Sequence, residues 1–355
     1  MTRHPFLPSL LLALLAAPAL ADPPAAPSEE HMKLAARYSA ANRGVSFLVL
    51  HEGQRIYEDY PNFSGPRRDY KLASGTKSFS GVAAAFAIHE RLLSLDEKVA
   101  DTITEWQSDP LKRQITVRHL LNLTSGLEPP QGVGRFKITY QAALGARCST
   151  RPGSRFRYGP VHFQVFGELM RRKLHPRGFD SVLAFLRKRL FEPLGIEIGS
   201  WKELEGQPVL PHGASLTARN WAKFGAWLLR GGEHQGQQLV PKALLNQLTK
   251  GSRANPAYGL TFWLNEPIDD SLRRSQPVFQ SSDIMAHPLV PDDLYMAAGA
   301  GDQRLYLIPS RQLVVVRQAR GQLAAVLGRR TDFTDANLIA RLLHGKDAEG
   351  KTLSP

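Results

Sequence analysis

The sequence predicts an α/β fold of the α+β type: an antiparallel sheet drawn from both chain ends, flanked by helices, with a mostly helical lobe inserted between. Three observations predict it. Near the N-terminus, residues 45–50 (Val-Ser-Phe-Leu-Val-Leu) and 55–60 (Arg-Ile-Tyr-Glu-Asp-Tyr) flank the turn Glu52-Gly53, the pattern of a β-hairpin. Near the C-terminus, the strand-like runs 304–308 and 313–317 are separated by Pro309-Ser310. Between them, residues from about 75 to 250 carry helical periodicity broken by Gly and Pro. This places a discontinuous α/β domain over 22–100 and 251–345, a helical lobe over 101–250 and a tail over 346–355. A cleft between two such lobes is a natural small-molecule site.

The remaining elements follow in order. Residues 1–21 read as an export signal: Arg3 supplies the positive start, 7–20 is rich in Leu and Ala, and Ala19-Leu20-Ala21 is a small-x-small cleavage site. Cleavage after Ala21 implies a periplasmic or secreted protein. No cysteine follows that site to carry a lipid, and no later run reaches the ~18 apolar residues of a membrane span. Residues 22–30 form a Pro/Ala-rich leader, a helix covers 31–41, and a terminal helix covers roughly 334–343. With 355 residues, 43% of them hydrophobic and 22% charged, the chain has ample apolar material for a folded core. A single cysteine, Cys148, excludes an intramolecular disulfide, and no Cys/His cluster has zinc spacing. Cys148 itself reads as a packed thiol.

Forty-five Lys and Arg against 32 Asp and Glu give a net charge of +13. Such a charge suits anionic partners or a solvated arginine-rich surface. The basic runs 171–173 and 187–189 sit beside apolar residues within helical periodicity and are not interleaved with aromatics. Nucleic acid is therefore not an expected partner.

The chemistry concentrates at Lys71-Leu72-Ala73-Ser74-Gly75-Thr76-Lys77-Ser78, followed by Val82-Ala83-Ala84-Ala85-Phe86-Ala87-Ile88, which is apolar on nearly every face. A helix apolar all round is buried, so Ser74 is expected to open the central helix. Residues three apart project together, placing the Lys77 amine within reach of the Ser74 hydroxyl. A hydroxyl needs a base to become a nucleophile, and burial moves a lysine toward its neutral form. The helix start favours an oxyanion formed beside Ser74. The competing reading is a helix-capping serine with a solvated lysine.

Ser74-Gly75-Thr76-Lys77 resembles the S-x-x-K motif of the serine β-lactamase and penicillin-binding protein superfamily, and most of all its class C-like serine hydrolases and esterases. The resemblance continues through Leu93-Ser94-Leu95-Asp96-Glu97-Lys98-Val99-Ala100-Asp101 and the signature Ile115-Thr116-Val117-Arg118-His119-Leu120-Leu121-Asn122-Leu123-Thr124-Ser125-Gly126-Leu127. Phe191-Glu192-Pro193-Leu194-Gly195, Leu216-Thr217-Ala218-Arg219-Asn220, Tyr258-Gly259-Leu260 and Val314-Val315-Val316-Arg317 follow in family order. It implies a β-lactamase/transpeptidase-like fold and a Tyr-x-Asn element, for which Tyr158-Gly159-Pro160 stands. Tyr158 then relays protons with Lys77, while Pro160 lacks the asparagine's donor; His162 offers a substitute polar contact or is a structural histidine. The family's Lys-Thr-Gly or His-x-Gly corresponds to Ala297-Ala298-Gly299, without its cation or hydroxyl, or that run is a plain strand edge or bulge. The N–H groups of Ser74 and Ala300 are the implied oxyanion hole. Substrate contacts fall to Pro160, His162, Ala297, Ala298 and Gly299. The implied activity is acyl-enzyme hydrolysis of a neutral small-molecule ester or amide, cell-wall material among the sources, with no metal or cofactor. The alternatives are a β-lactamase or D,D-peptidase, or a silent ligand-binding member of the fold.

Overall fold

In the computed structural model, which describes residues 24–134, 136–275, 286–321 and 331–354, both chain ends meet in one sheet. The expected export signal at 1–21 lies outside the described residues. Helix α1 (Glu29–Ala41) starts where the Ser28 side chain accepts the His31 N–H, with Glu29 and Glu30 favourably placed in its first turn. Strands β1 (Gly44–His51) and β2 (Gln54–Asp59) form the expected hairpin. Helix α2 (Ser78–His89) follows, buried from Ser78 through Ala87. Further on come α3 (Val161–Leu174), α4 (Ala218–Leu229), the short β3 (Trp263–Leu264), β4 (Tyr295–Gly299), β5 (Gln303–Ile308), β6 (Leu313–Ala319) and α5 (Asp335–His344).

The sheet order is β3-β4-β5-β6-β1-β2, antiparallel at every pairing. β1 and β6 are both interior strands, paired with Leu48 opposite Val316, and both are buried on the two faces. That explains why neither alternates apolar with polar residues in sequence. Helices α1 and α5 pack together, with the Arg341 guanidinium 4.3 Å from the Tyr38 ring centre. Helix α4 packs against β1, β5 and β6.

The central region is less purely helical than its periodicity suggests. Tyr70–Lys71, Ala214–Leu216 and Ser200–Trp201 form a second, three-stranded sheet, and residues 203–208 and 233–238 form two short hairpins. Strands of two or three residues are too short to show a period. The second sheet ties the chain ahead of Ser74 to the segment after Pro211. At the C-terminal tail, Lys346 bridges to Thr352, folding it back on α5.

Candidate active site

Ser74 sits on a 3₁₀ turn, Ala73–Lys77, that runs into α2, and not on the α-helix itself. Ala73 carries a left-handed φ of +47°, which interrupts the helical path just before the serine. Side chains fix the turn: Thr76 Oγ1 donates to Ala73 O (2.7 Å) and accepts from Ala214 N (3.2 Å), and Ser78 Oγ donates to Gly75 O (2.7 Å). Gly75 lies against Trp221, where an added Cβ would fall 2.9 Å from the indole ring. The capping reading of Ser74 is set aside, because the cap position is Leu72 and makes no side-chain hydrogen bond.

Lys77 turns back to the serine, its Nζ 3.0 Å from Ser74 Oγ. It also donates to Pro211 O at 2.8 Å. The side chain is only 4% exposed, so the solvated-lysine reading fails. Its nitrogen lies 5.0 Å from the Tyr158 ring centre and 5.5 Å from that of Phe163. Tyr158, from the segment preceding α3, is half-buried against Trp263, ring centres 5.4 Å apart, and edge-on to Tyr258 at 6.3 Å. Three residues from two distant parts of the chain thus converge on one point.

The signature at 115–127 explains how Tyr158 gets there. Thr116 caps the helix Val117–Leu121 in a reciprocal box with His119. The chain then turns through Leu123, with a φ of +63°, and presents carbonyls to the tyrosine segment. Leu123 O accepts from Arg157 N (2.9 Å) and Thr124 O from Gly153 N (2.8 Å). From the other side His162 Nε2 lies 3.0 Å from Arg157 O, and His162 Nδ1 lies 2.8 Å from Ser125 Oγ. A carbonyl can only accept, so Nε2 carries the proton and Nδ1 accepts from the serine hydroxyl. His162 is 0% exposed, and burial drives its pKa down to about 3, keeping the ring neutral. The substrate contact offered by His162 is therefore corrected: both ring nitrogens are engaged inside the protein, where they hold the backbone beside Tyr158.

Pro160 caps α3 and is partly exposed, its carbonyl accepting from Phe163 N at 3.1 Å. Ala298 and Ala300 are partly exposed, whereas Ala297 is packed in the core. The expected contact from Ala297 is accordingly corrected, since its methyl is not open to a substrate. Gly299 is required by close approach: a Cβ there would fall 2.0 Å from Leu72 O, at the entrance to the serine turn. The end of β4 therefore lies directly against the Ser74 segment, with Ala300 next in the chain.

Residues that the sequence reading missed hold this β4–β5 turn from behind. Arg304 Nη1 donates to Gly299 O (3.2 Å), Gln303 Nε2 to Gly301 O (2.9 Å) and Arg317 Nη1 to Asp302 O (2.7 Å). Arg304 is in turn paired with the fully buried Asp335, Nε to Oδ1 at 2.6 Å and Nη2 to Oδ2 at 3.2 Å. No peptide bond among the described residues is cis, so a donor on Gly299 O fixes the Ala300 N–H in the opposite direction. The buried charges Arg304, Arg317 and Asp335 lie far from Ser74 in sequence, and only the buried arginine on an otherwise apolar strand could have signalled them.

The other singled-out features are structural. Arg171 and Arg172 pair with Glu168, Arg172 also with Glu105, Lys173 with Glu97, Lys188 with Glu192 and Arg189 with Glu90. Cys148 is buried, and burial pushes its thiol pKa up, away from the reactive thiolate.

A sequence-family model described as Beta-lactamase matches residues 29–335. An uncharacterized protein of Alkalihalophilus pseudofirmus is 22% identical over 309 residues, spanning 77% of this chain and 83% of its own length. Among solved structures, a penicillin-binding protein homolog from Caulobacter crescentus superposes with a TM-score of 0.66 at 18% identity, covering 92% of this chain and 98% of that one. A family VIII carboxylesterase superposes at 0.63 with 16% identity, covering 86% and 97%. At such identities the structures share the fold, and the mixed architecture with its antiparallel sheet matches it. With the family match spanning most of its length, the chain belongs to the Beta-lactamase family.

Proposed function

We propose that the protein is an exported serine hydrolase that cleaves a neutral ester or amide through an acyl-enzyme on Ser74. The observation that carries the reading is the buried Lys77 amine, 3.0 Å from Ser74 Oγ and beneath the Tyr158 ring. Lys77 Nζ donates to Pro211 O, and in its neutral form the amine can turn its lone pair toward the serine hydroxyl. Ser74 Oγ attacks the carbonyl carbon as its proton passes to the Lys77/Tyr158 pair. The Ser74 and Ala300 N–H groups receive the tetrahedral oxyanion. The C–O or C–N bond then breaks, and the leaving group takes the proton from the pair. A water, deprotonated by the same pair, attacks the acyl-enzyme, and Ser74 regains its proton as the acid departs.

Pro160 and Ala297 stand where a side-chain donor and a cation would hold a peptide or a carboxylate, which favours neutral substrates over β-lactams and D,D-peptides. The same two residues motivate a second reading, a silent ligand-binding member of the fold. A fluorophosphonate probe separates them. Covalent labelling of wild type but not of Ser74→Ala, with turnover of p-nitrophenyl esters exceeding that of nitrocefin, is the expected outcome. An unlabelled wild type defeats the catalytic reading.

A further inference from the structure

Away from the cleft, the loop joining β2 to the strand Tyr70–Lys71 displays Phe63 with 96% of its surface exposed. Water-exposed phenylalanine is common enough singly; its backbone is not. Asn62 and Phe63 have φ of +58° and +56°, two left-handed residues in succession, at a position where glycine is the unstrained choice. The turn is nonetheless braced: Asn62 Nδ2 donates to Gly44 O (2.7 Å) and Ala40 O (3.2 Å). The chain thus spends backbone strain to hold an apolar ring out in water.

The ring's surroundings are cationic. Arg68 Nη1 and Arg320 Nη2 each lie 3.4 Å from Phe63 O, Arg320 N donates to Arg43 O, and Arg67 borders a shallow concavity of about 490 Å³ beside the ring. All four arginines are exposed, and none forms an ion pair among the described residues. Asp69, the one acid between Pro61 and Lys71, packs its carboxyl toward Gly199, and Glu58 is taken by Arg219. An aromatic ring encircled by uncompensated guanidinium groups is the composition of an interfacial anchor.

We propose that this corner docks on an anionic lipid bilayer, Phe63 entering the boundary between headgroups and acyl chains while Arg43, Arg67, Arg68 and Arg320 meet lipid phosphates. A soluble polyanion would use the arginines but has no apolar phase for the ring, so the exposed phenylalanine selects the bilayer. The proposal stands apart from the hydrolase reading.

Vesicle sedimentation of the full chain tests it. The protein binds phosphatidylglycerol/phosphatidylethanolamine vesicles, leaves phosphatidylcholine vesicles in solution, and dissociates at high salt. Phe63→Gly lowers the partition coefficient about tenfold with no fall in thermal midpoint, since glycine accepts the turn's φ. Each of Arg67→Glu and Arg68→Glu lowers it by about fivefold or more. Phe63→Trp gives a blue-shifted emission on anionic vesicles alone. The proposal is overturned by failure to bind phosphatidylglycerol vesicles, by Phe63→Gly binding them like wild type, or by a Phe63→Trp emission that stays water-like. Equal affinity of wild type and Phe63→Gly for polyphosphate, with no vesicle binding, assigns the arginines to a polymer.

Discussion

Gly299→Ala adds a single methyl, and its effect can be worked out from the geometry. The new Cβ would lie 2.0 Å from Leu72 O, more than an ångström inside normal carbon–oxygen contact. Neither partner retreats freely. Leu72 O accepts from Gly75 N at 2.9 Å, inside the serine turn, and Gly299 is paired with Gln303 while Arg304 grips its carbonyl. Relief therefore separates the Ala300 N–H from Ser74 by about an ångström, and a misplacement of that size costs about 100-fold in rate. Loss of one oxyanion donor costs a similar 100- to 1,000-fold. Stability falls by about 1–3 kcal/mol, the usual cost of overpacking. The assay is kcat for p-nitrophenyl butyrate per fluorophosphonate-titrated site, beside a calorimetric midpoint. Gly145→Ala is the control, because its added Cβ meets no atom closer than 3.5 Å. A Gly299→Ala enzyme within threefold of wild-type kcat would refute the placement of Ala300 in the oxyanion hole.

Three other outcomes follow from the geometry. Tyr158→Phe keeps the ring packing on Trp263 but removes the phenol, so kcat should fall about 100- to 10,000-fold with a thermal midpoint near wild type; equal turnover would remove Tyr158 from proton transfer. His162 has a folded-state pKa of about 3 against an ordinary 6.5, so the unfolded chain binds its proton first as pH falls. Its contribution is complete above pH 6.5 and is lost progressively toward pH 3. Between pH 7 and 5, denaturant unfolding of wild type should therefore lose about 1–2 kcal/mol more than that of His162→Gln, and parallel losses would contradict the buried neutral ring. Asp335→Ala strands the buried Arg304 without its carboxylate, at a cost of about 3–5 kcal/mol in unfolding free energy; a change below 1 kcal/mol would show that the pair is not buried.

What the sequence made legible was what local pattern encodes. The two hairpins and both terminal helices lie within two residues of their expected bounds, because short apolar, β-branched-rich runs or helical periodicity with Gly, Pro and Ser punctuation are short-range signals. The Ser74–Lys77 contact was legible for the same reason: one helical turn joins them, whether 3₁₀ or α. The left-handed Ala73 was not, since alanine is a poor marker of positive φ. Nor was Pro211, whose contribution is a carbonyl that any residue carries. His162 shows the limit most clearly. Its place two residues after Pro160 suggested a cleft-facing side chain, but helix α3 turns that position inward, onto Ser125 and the Arg157 carbonyl. Direction on a helix depends on how it is docked, and no local pattern supplies that.

The site also separates into parts with different physical burdens. Lys77, His162, Arg304 and Asp335 are buried, and each is held by specific partners, so altering one leaves an unpaired group or a shifted backbone. Pro160, Ala298 and Ala300 are partly exposed at the edge, and two of them contribute side chains no larger than a methyl. A proline or alanine there removes a polar contact to substrate without leaving a buried group unsatisfied. Recognition groups can accordingly be lost while Ser74, Lys77 and the Gly299–Ala300 turn remain fixed by the core. That asymmetry is why the residues at Pro160 and Ala298 argue for a changed substrate more strongly than for a silent protein: decay of function would be expected to loosen the buried partners as well, and Lys77, His162, Arg304 and Asp335 each keep theirs.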